Sequence, residues 1–343
     1  MRALVYASFG GPLEVREVPD PSPPPGGVVV RVGATGVCRS DWHGWQGHDP
    51  DVRLPHVPGH ELAGTVAAVG DGVRHWRAGD RVTAPFVCGC GTCPRCAAGD
   101  AQVCDAQTQP GFTHWGSMAE LVVLHAADVN LVALPPDLPF AAAAALGCRT
   151  ATAFRAVMQQ GRVRAGEWFA VHGCGGVGLS AVQVAVAAGA RVVAVDVSPG
   201  ALALAGRLGA EQLLDARDTD VPAAVLALTG GGAHLSLDAL GSPATCAGSV
   251  ASLRPRGRHV QVGLLPPAAG RAAVPMERVV ALELEVLGSH GLAAHAYPQL
   301  LALVASGRLR PQDLVTRELA LDQAGAALRD VGAAPGIAVV TSF

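Results

Sequence analysis

Lysine is absent from this chain of 343 residues, so all 25 of its basic side chains are arginines. That absence excludes catalysis through a lysine Schiff base or a lysine general base. Charge of either sign is sparse, at 15% of residues with a formal net charge of -3. The basic surplus typical of nucleic-acid binders is therefore missing. No apolar run approaches the ~20 residues that a membrane-spanning helix requires. A signal-peptide pattern is missing too, because Met1-Arg2-Ala3-Leu4-Val5-Tyr6 reads as the opening of a strand. A cytoplasmic location is the expectation, and with it reduced thiols. Nine cysteines then need a reason other than disulfides, and five of them fall within residues 88–104.

Half of the residues are apolar, and the length suits two ordered domains. Up to about residue 149, short β-branched runs alternate with Gly and Pro, as in Val28-Val29-Val30-Arg31-Val32, Gly64 to Gly70 and Asp80 to Ala84. Short strands punctuated by turn residues predict a small barrel or sandwich. Beyond residue 150 apolar strands alternate with Ala-rich helical stretches: Glu167 to His172, Gly178 to Ala188, Arg191 to Asp196. Further strands are expected at Leu235 to Ala239, His259 to Val262 and Leu284 to Leu287. Such alternation predicts an α/β fold with a parallel, doubly wound sheet. The tail returns to the first texture, with a helix near 297–306 and a last strand from Ile337 to Val340.

Within that second region Trp168 to His172 feeds directly into Gly173-Cys174-Gly175-Gly176-Val177-Gly178, a G-x-G-x-x-G turn opening a helix. The first glycine permits the tight turn, the second lets a pyrophosphate approach the backbone, and the third lets the helix pack on the strand. The motif alone is weak in a chain with 43 glycines. Asp196 strengthens it, because it ends the next strand 18 residues beyond Gly178. A carboxylate there accepts hydrogen bonds from a ribose 2′-hydroxyl and repels a 2′-phosphate, so NAD is the expected cofactor.

Cys90, Cys93, Cys96 and Cys104 follow the spacing C-x2-C-x2-C-x7-C. Four thiolates so close in sequence suit one closed tetrahedral Zn2+ site, with an iron–sulfur cluster as the rival occupant. Cys88 falls outside the pattern and reads as an ordinary small residue. Cys38, the pair His60-Glu61, and Cys148 are dispersed, and each is weak alone.

Taken in order, GVCRSDWH, PGHELAGTVAAVG, AGDRV, the four-cysteine lobe and GCGGVG resemble the zinc-dependent medium-chain alcohol dehydrogenases over essentially the full length. The resemblance implies a GroES-like β-rich catalytic domain at 1–149 and 289–343 and a Rossmann domain at 150–288, with the active site in the cleft. It also implies two Zn2+ per chain, one structural and one catalytic. The catalytic ion would sit on Cys38, His60 and Cys148, the Cys2His set for which alcohol dehydrogenase is the standard example. Glu61 would coordinate transiently during ligand exchange, and Asp41 would orient the His60 imidazole. Arg39 would reach the cofactor pyrophosphate. Ser40 would meet the substrate oxygen and His43 would relay its proton to solvent. Phe86 would wall the substrate pocket; Trp45 and Trp115 are further candidates, with core packing the alternative for each. The reaction implied is reversible oxidation of an alcohol to an aldehyde or ketone by a homodimer or homotetramer.

Two positions depart from the family's pattern. Ala338 stands where an arginine is often found, and Ala201 where a lysine often follows the ribose-binding acid. Two rival readings are a zinc-independent quinone or enoyl reductase of the same fold, and an inactive zinc-stabilised binding protein. The first has no use for Cys38, His60 and Cys148, and the second none for Ser40 and His43.

Overall fold

The ten-residue strand Val28–Val37 organises the first of two units in the computed structural model, which describes residues 1–265 and 270–343. β-Branched residues favour a pleated, half-buried surface. Here Val28, Val30 and Val32 turn inward against Leu62, Val66, Val82, Val122 and Leu124. Burial of each such side chain contributes about 1.5–3 kcal/mol. Strand Glu61–Val69 runs antiparallel to Val28–Val37, placing Glu61 opposite Gly36, with two register shifts along the pair. Such shifts bend the sheet. On the other side Ile337–Ser342 pairs antiparallel with Val28–Val37 and sets Ala338 opposite Val37. Strands Arg81–Thr83, Val132–Ala133, Leu121–Leu124 and Val315–Ala320 complete the seven-stranded sheet and its branch.

Six parallel strands form the second unit, in the spatial order Gln212–Asp215, Arg191–Asp196, Trp168–His172, Ala233–Asp238, Leu253–Gln261, Glu285–Gly288. The order reverses between Trp168–His172 and Ala233–Asp238, the switch point at which doubly wound sheets take ligands. Helix Gly176–Ala187 leaves Trp168–His172 through the glycine turn and is buried on most of its circumference, as its Ala/Val/Leu composition dictates.

The units comprise Met1–Ala151, Gly291–Ala302 and Pro311–Phe343 in the first, and Thr152–His290 with Leu303–Arg310 in the second. The expected boundaries put 303–310 with the tail. The structure gives that segment to the second unit, where the Gln183 side-chain amide donates to the Arg310 carbonyl at 3.0 Å and Arg308 donates to the Ala187 carbonyl. Among the described residues no helix is long and apolar enough to cross a membrane.

Candidate active site

Cys38, His60, Glu61 and Cys148 meet in the first unit, all buried, with one ligand atom from each lying within 4.8 Å of the others. Cys38 directly follows the long strand and is the N-cap residue of helix Arg39–Trp45. His60 immediately precedes strand Glu61–Val69. Cys148 lies in a single π-turn, Leu146–Thr150, inserted after helix Phe140–Ala144. Such turns re-aim side chains and recur at functional sites.

Asp41 ties the group together. Its Oδ1 accepts from His60 Nδ1 at 2.8 Å and from the Gly59 N–H at 2.9 Å, while Oδ2 accepts from the Cys38 N–H at 3.1 Å. The Nδ1–H tautomer leaves a lone pair on His60 Nε2, which is buried with no hydrogen-bond partner of good geometry among the described residues. An orphaned acceptor beside two thiols is the donor set a tetrahedral zinc requires, so the residues fit the ion the sequence implied. The neighbouring Cys148 thiol, with help from Arg149 and His60 and against the effect of burial, pulls the Cys38 thiol well below its ordinary pKa.

Glu61 is pushed up by burial, only partly offset by its neighbour Arg149. Both of its oxygens are occupied: Oε1 accepts from the Arg149 backbone N–H at 3.2 Å and from Nε at 2.8 Å, and Oε2 accepts from Nη2. Sequence reasoning missed Arg149, although it directly follows Cys148.

Ser40 is half-buried in the first turn of helix Arg39–Trp45, and Arg39 is exposed, with its guanidinium 5.3 Å from the Trp42 ring. His43 Nδ1 lies 2.9 Å from Nδ1 of the exposed His48, and Trp42 stands edge-on to both rings. Phe86 stands edge-on to the His60 ring at 6.0 Å. Phe112, which sequence reasoning also missed, is closer at 5.1 Å. Trp45 belongs to the core cluster with Leu4, Tyr6 and Phe112, and its indole N–H donates to the Gly11 carbonyl. Trp115 is exposed and donates to the Pro55 carbonyl.

The four-cysteine lobe also closes on itself. One Sγ from each of Cys90, Cys93, Cys96 and Cys104 lies within 4.8 Å of the rest. Cys104 Sγ accepts from the Cys90 and Ala106 N–H groups, both at 3.3 Å, and Cys93 Sγ from the Cys96 N–H at 3.5 Å. The Thr92 hydroxyl and N–H pull the Cys90 thiol down to about 6. Cys88 stays outside the group, buried and pushed up to about 12 by that burial.

In the second unit the three glycines play distinct parts. Gly173 has φ +92°. A Cβ on Gly178 would fall 1.8 Å from the Gly173 carbonyl oxygen, whereas one on Gly175 would meet nothing within 4 Å. Gly176 and Val177 open the helix behind them. Asp196 clamps this turn: Oδ2 accepts from the Cys174 N–H at 2.6 Å, and Oδ1 from the Ser198 N–H at 2.8 Å.

Residues 24–136 match the family model described as alcohol dehydrogenase GroES-like domain, and residues 176–306 match the one described as zinc-binding dehydrogenase. The alcohol dehydrogenase of Rhizobium meliloti (strain 1021) is 39% identical over 293 residues, 84% of each chain. That of Geobacillus stearothermophilus is 35% identical over 312 residues, 90% of each. The solved structure of the alcohol dehydrogenase TADH from Thermus sp. ATN1 superposes with a TM-score of 0.91 at 33% identity, covering all of both chains. The chain belongs to the zinc-dependent medium-chain dehydrogenase family, with a GroES-like domain and a Rossmann-type domain.

Proposed function

We propose that the protein is a zinc-dependent, NAD-linked alcohol dehydrogenase that interconverts an alcohol with an aldehyde or ketone. The observation that carries this reading is the buried Cys38–His60–Cys148 cluster with an unpartnered His60 Nε2, backed by Asp41. When bound, zinc supplies a Lewis-acid centre and nicotinamide supplies the hydride acceptor. The Cys38 and Cys148 thiolates and His60 Nε2 would hold the ion, and Asp41 fixes the imidazole that faces it. Ser40 and His43 carry the substrate proton outward. Phe86 and Phe112 give the site apolar walls, and Cys90, Cys93, Cys96 and Cys104 hold a second, structural zinc. The test is absorbance at 340 nm with NAD and a panel of primary, secondary, benzylic and allylic alcohols. No reduction of NAD by any of them overturns the reading.

NAD over NADP is supported by Asp196, whose negative charge stands at the strand end where the ribose 2′-position is read. Its two oxygens also hold the Cys174 and Ser198 N–H groups. Asp196→Gly is therefore expected to narrow the NAD preference and to raise KM for both cofactors. Higher native kcat/KM with NADP would contradict the role given to Asp196.

A homodimer is proposed as the working assembly, with a tetramer as the larger alternative. Its support is the edge strand Glu285–Gly288, flanked by Val280, 75% exposed, with Met276 and Val286 also exposed. An apolar, unpaired strand edge favours pairing with another copy. Light scattering is expected to give twice the 34.7 kDa chain mass, and a monomer at micromolar concentration would exclude this assembly.

A further inference from the structure

Arg149 has no part in the proposed reaction, yet it is one of the most deeply buried charges in the first unit, 6% exposed against 0% for its partner Glu61. A buried arginine and glutamate are rare unless each satisfies the other. Here the planar guanidinium grips the carboxylate side-on, and the Arg149 backbone N–H adds a third bond. The same carboxylate belongs to the group of ligand atoms lying within 4.8 Å of one another. Glu61 is thus within reach of a metal on Cys38, His60 and Cys148, but is turned to a different cation. The slot is built for the pair: a Cβ on Gly36 would fall 2.2 Å from Glu61 Oε2 and 3.0 Å from Arg149 Nη2.

Charge balance points the same way. Two thiolates and the Glu61 and Asp41 carboxylates place four negative charges in this buried group, and a divalent ion neutralises only two. Asp41 is held by the His60 imidazole and the Gly59 and Cys38 N–H groups, and Arg149 supplies the cation that answers Glu61. Without it, the buried Glu61 carboxylate has one cation left to turn to, the metal.

We propose that Arg149 is a positioning residue that latches Glu61 out of the metal's coordination shell and so keeps the fourth position open to an exogenous ligand. This rests on the reading that Cys38, His60 and Cys148 hold the metal. The test uses the full-length protein with cobalt in place of zinc, and imidazole as the probe ligand. Imidazole perturbs the visible cobalt bands only of a site with an open position, so the closed four-thiolate lobe is silent.

Wild-type protein is expected to show sulfur-to-cobalt charge transfer and a saturable shift with imidazole. Arg149→Met is expected to show altered d–d bands before any ligand is added, and to bind imidazole about tenfold more weakly or worse, in line with the size of effects from groups behind metal ligands. Adding Glu61→Gln to Arg149→Met is expected to restore the imidazole response, because a neutral amide competes poorly for the ion. If Arg149→Met does not accumulate as folded protein, Arg149→Lys carries the test, since it keeps the charge but loses the fork; weaker imidazole binding supports the latch. Folded, cobalt-loaded variants with wild-type bands and wild-type imidazole affinity overturn it. Wild-type protein with no imidazole-sensitive cobalt bands would instead overturn the metal reading on which the latch depends.

Discussion

Replacing Cys93 by alanine is expected to cost the protein its fold, whereas replacing Cys148 is expected to cost it one metal ion and little else. The difference lies in what surrounds each cysteine. Residues 90–104 contain only a four-residue helix, Pro94–Ala97, and a short 3-10 turn, Ala101–Val103. An isolated helix so short is unstable in water. Cys90, Cys93 and Cys96 are all partly exposed, so little apolar burial holds the lobe together. Its order must come from the sulfurs and what they bind, and a closed structural zinc contributes apparent folding free energy of about 10–16 kcal/mol in small peptides at pH 7. Cys148 instead sits among buried Ala143, Ala144, Leu146 and Ala151, which pack without it. Elemental analysis of fresh wild-type protein is expected to give two zinc per chain, falling to one in Cys148→Ala with an unchanged circular dichroism spectrum. Cys93→Ala should appear in the insoluble fraction or unfold tens of degrees lower. Iron, or fewer than two zinc in the wild type, would refute the assignment of both sites.

His43→Gln is expected to slow alcohol oxidation at pH 7 by about tenfold or more, less than the roughly 10²–10⁴-fold of a base that takes the proton directly, because His43 is proposed to act through a relay. Ser40 is a poor terminal base, since a hydroxyl that accepts a proton must pass one on. In the proposed relay His43 is the next acceptor, and its Nδ1 lies 2.9 Å from that of the exposed His48. Burial, then His48 and Arg39, hold the His43 pKa below the ordinary imidazole value, with Cys38 opposing weakly. A depressed pKa keeps the ring neutral, and able to accept, at pH values where a free imidazole would already be charged. Wild-type oxidation should therefore decline only as pH falls below about 6.5, the unperturbed histidine value. The Gln variant should recover rate as pH rises and hydroxide takes over. A pH–rate profile of His43→Gln that overlays the wild type would leave His43 as a surface residue.

The doubly wound sheet is legible in the sequence because its strands are short apolar runs with sharp ends: Arg191–Asp196 falls where its residues predict it. Leu253–Gln261 starts well before the expected His259, since Arg254-Pro255-Arg256-Gly257-Arg258 hides the strand under charge and a turn-like Pro-Arg-Gly. The glycine turn and the four-cysteine lobe are legible because their chemistry is local in sequence. The Cys38, His60 and Cys148 group needs the family resemblance, because spacings of 22 and 88 residues carry no periodicity. Arg149 and Phe112 stay hidden for a related reason. An arginine reads as surface until a buried carboxylate 88 positions away is known to face it, and Phe112 gains meaning only from its 5.1 Å approach to His60. Leu303–Arg310 departs from its expected domain, bonded to Gln183 and Ala187 by three hydrogen bonds that leave no pattern in sequence.

The pairing of Val37 with Ala338 joins backbone segments about 300 residues apart. Closing a loop of that length costs about 5 kcal/mol of chain entropy beyond a constant, and the cost is recovered only when the pairing forms. The strand that leads into Cys38 therefore gains its flanking neighbour late in synthesis. Most of the six-stranded unit, Thr152–His290, has by then left the ribosome as one continuous piece. The first unit can therefore be completed only after residues 152–290 of the second have been made, although it opens the sequence.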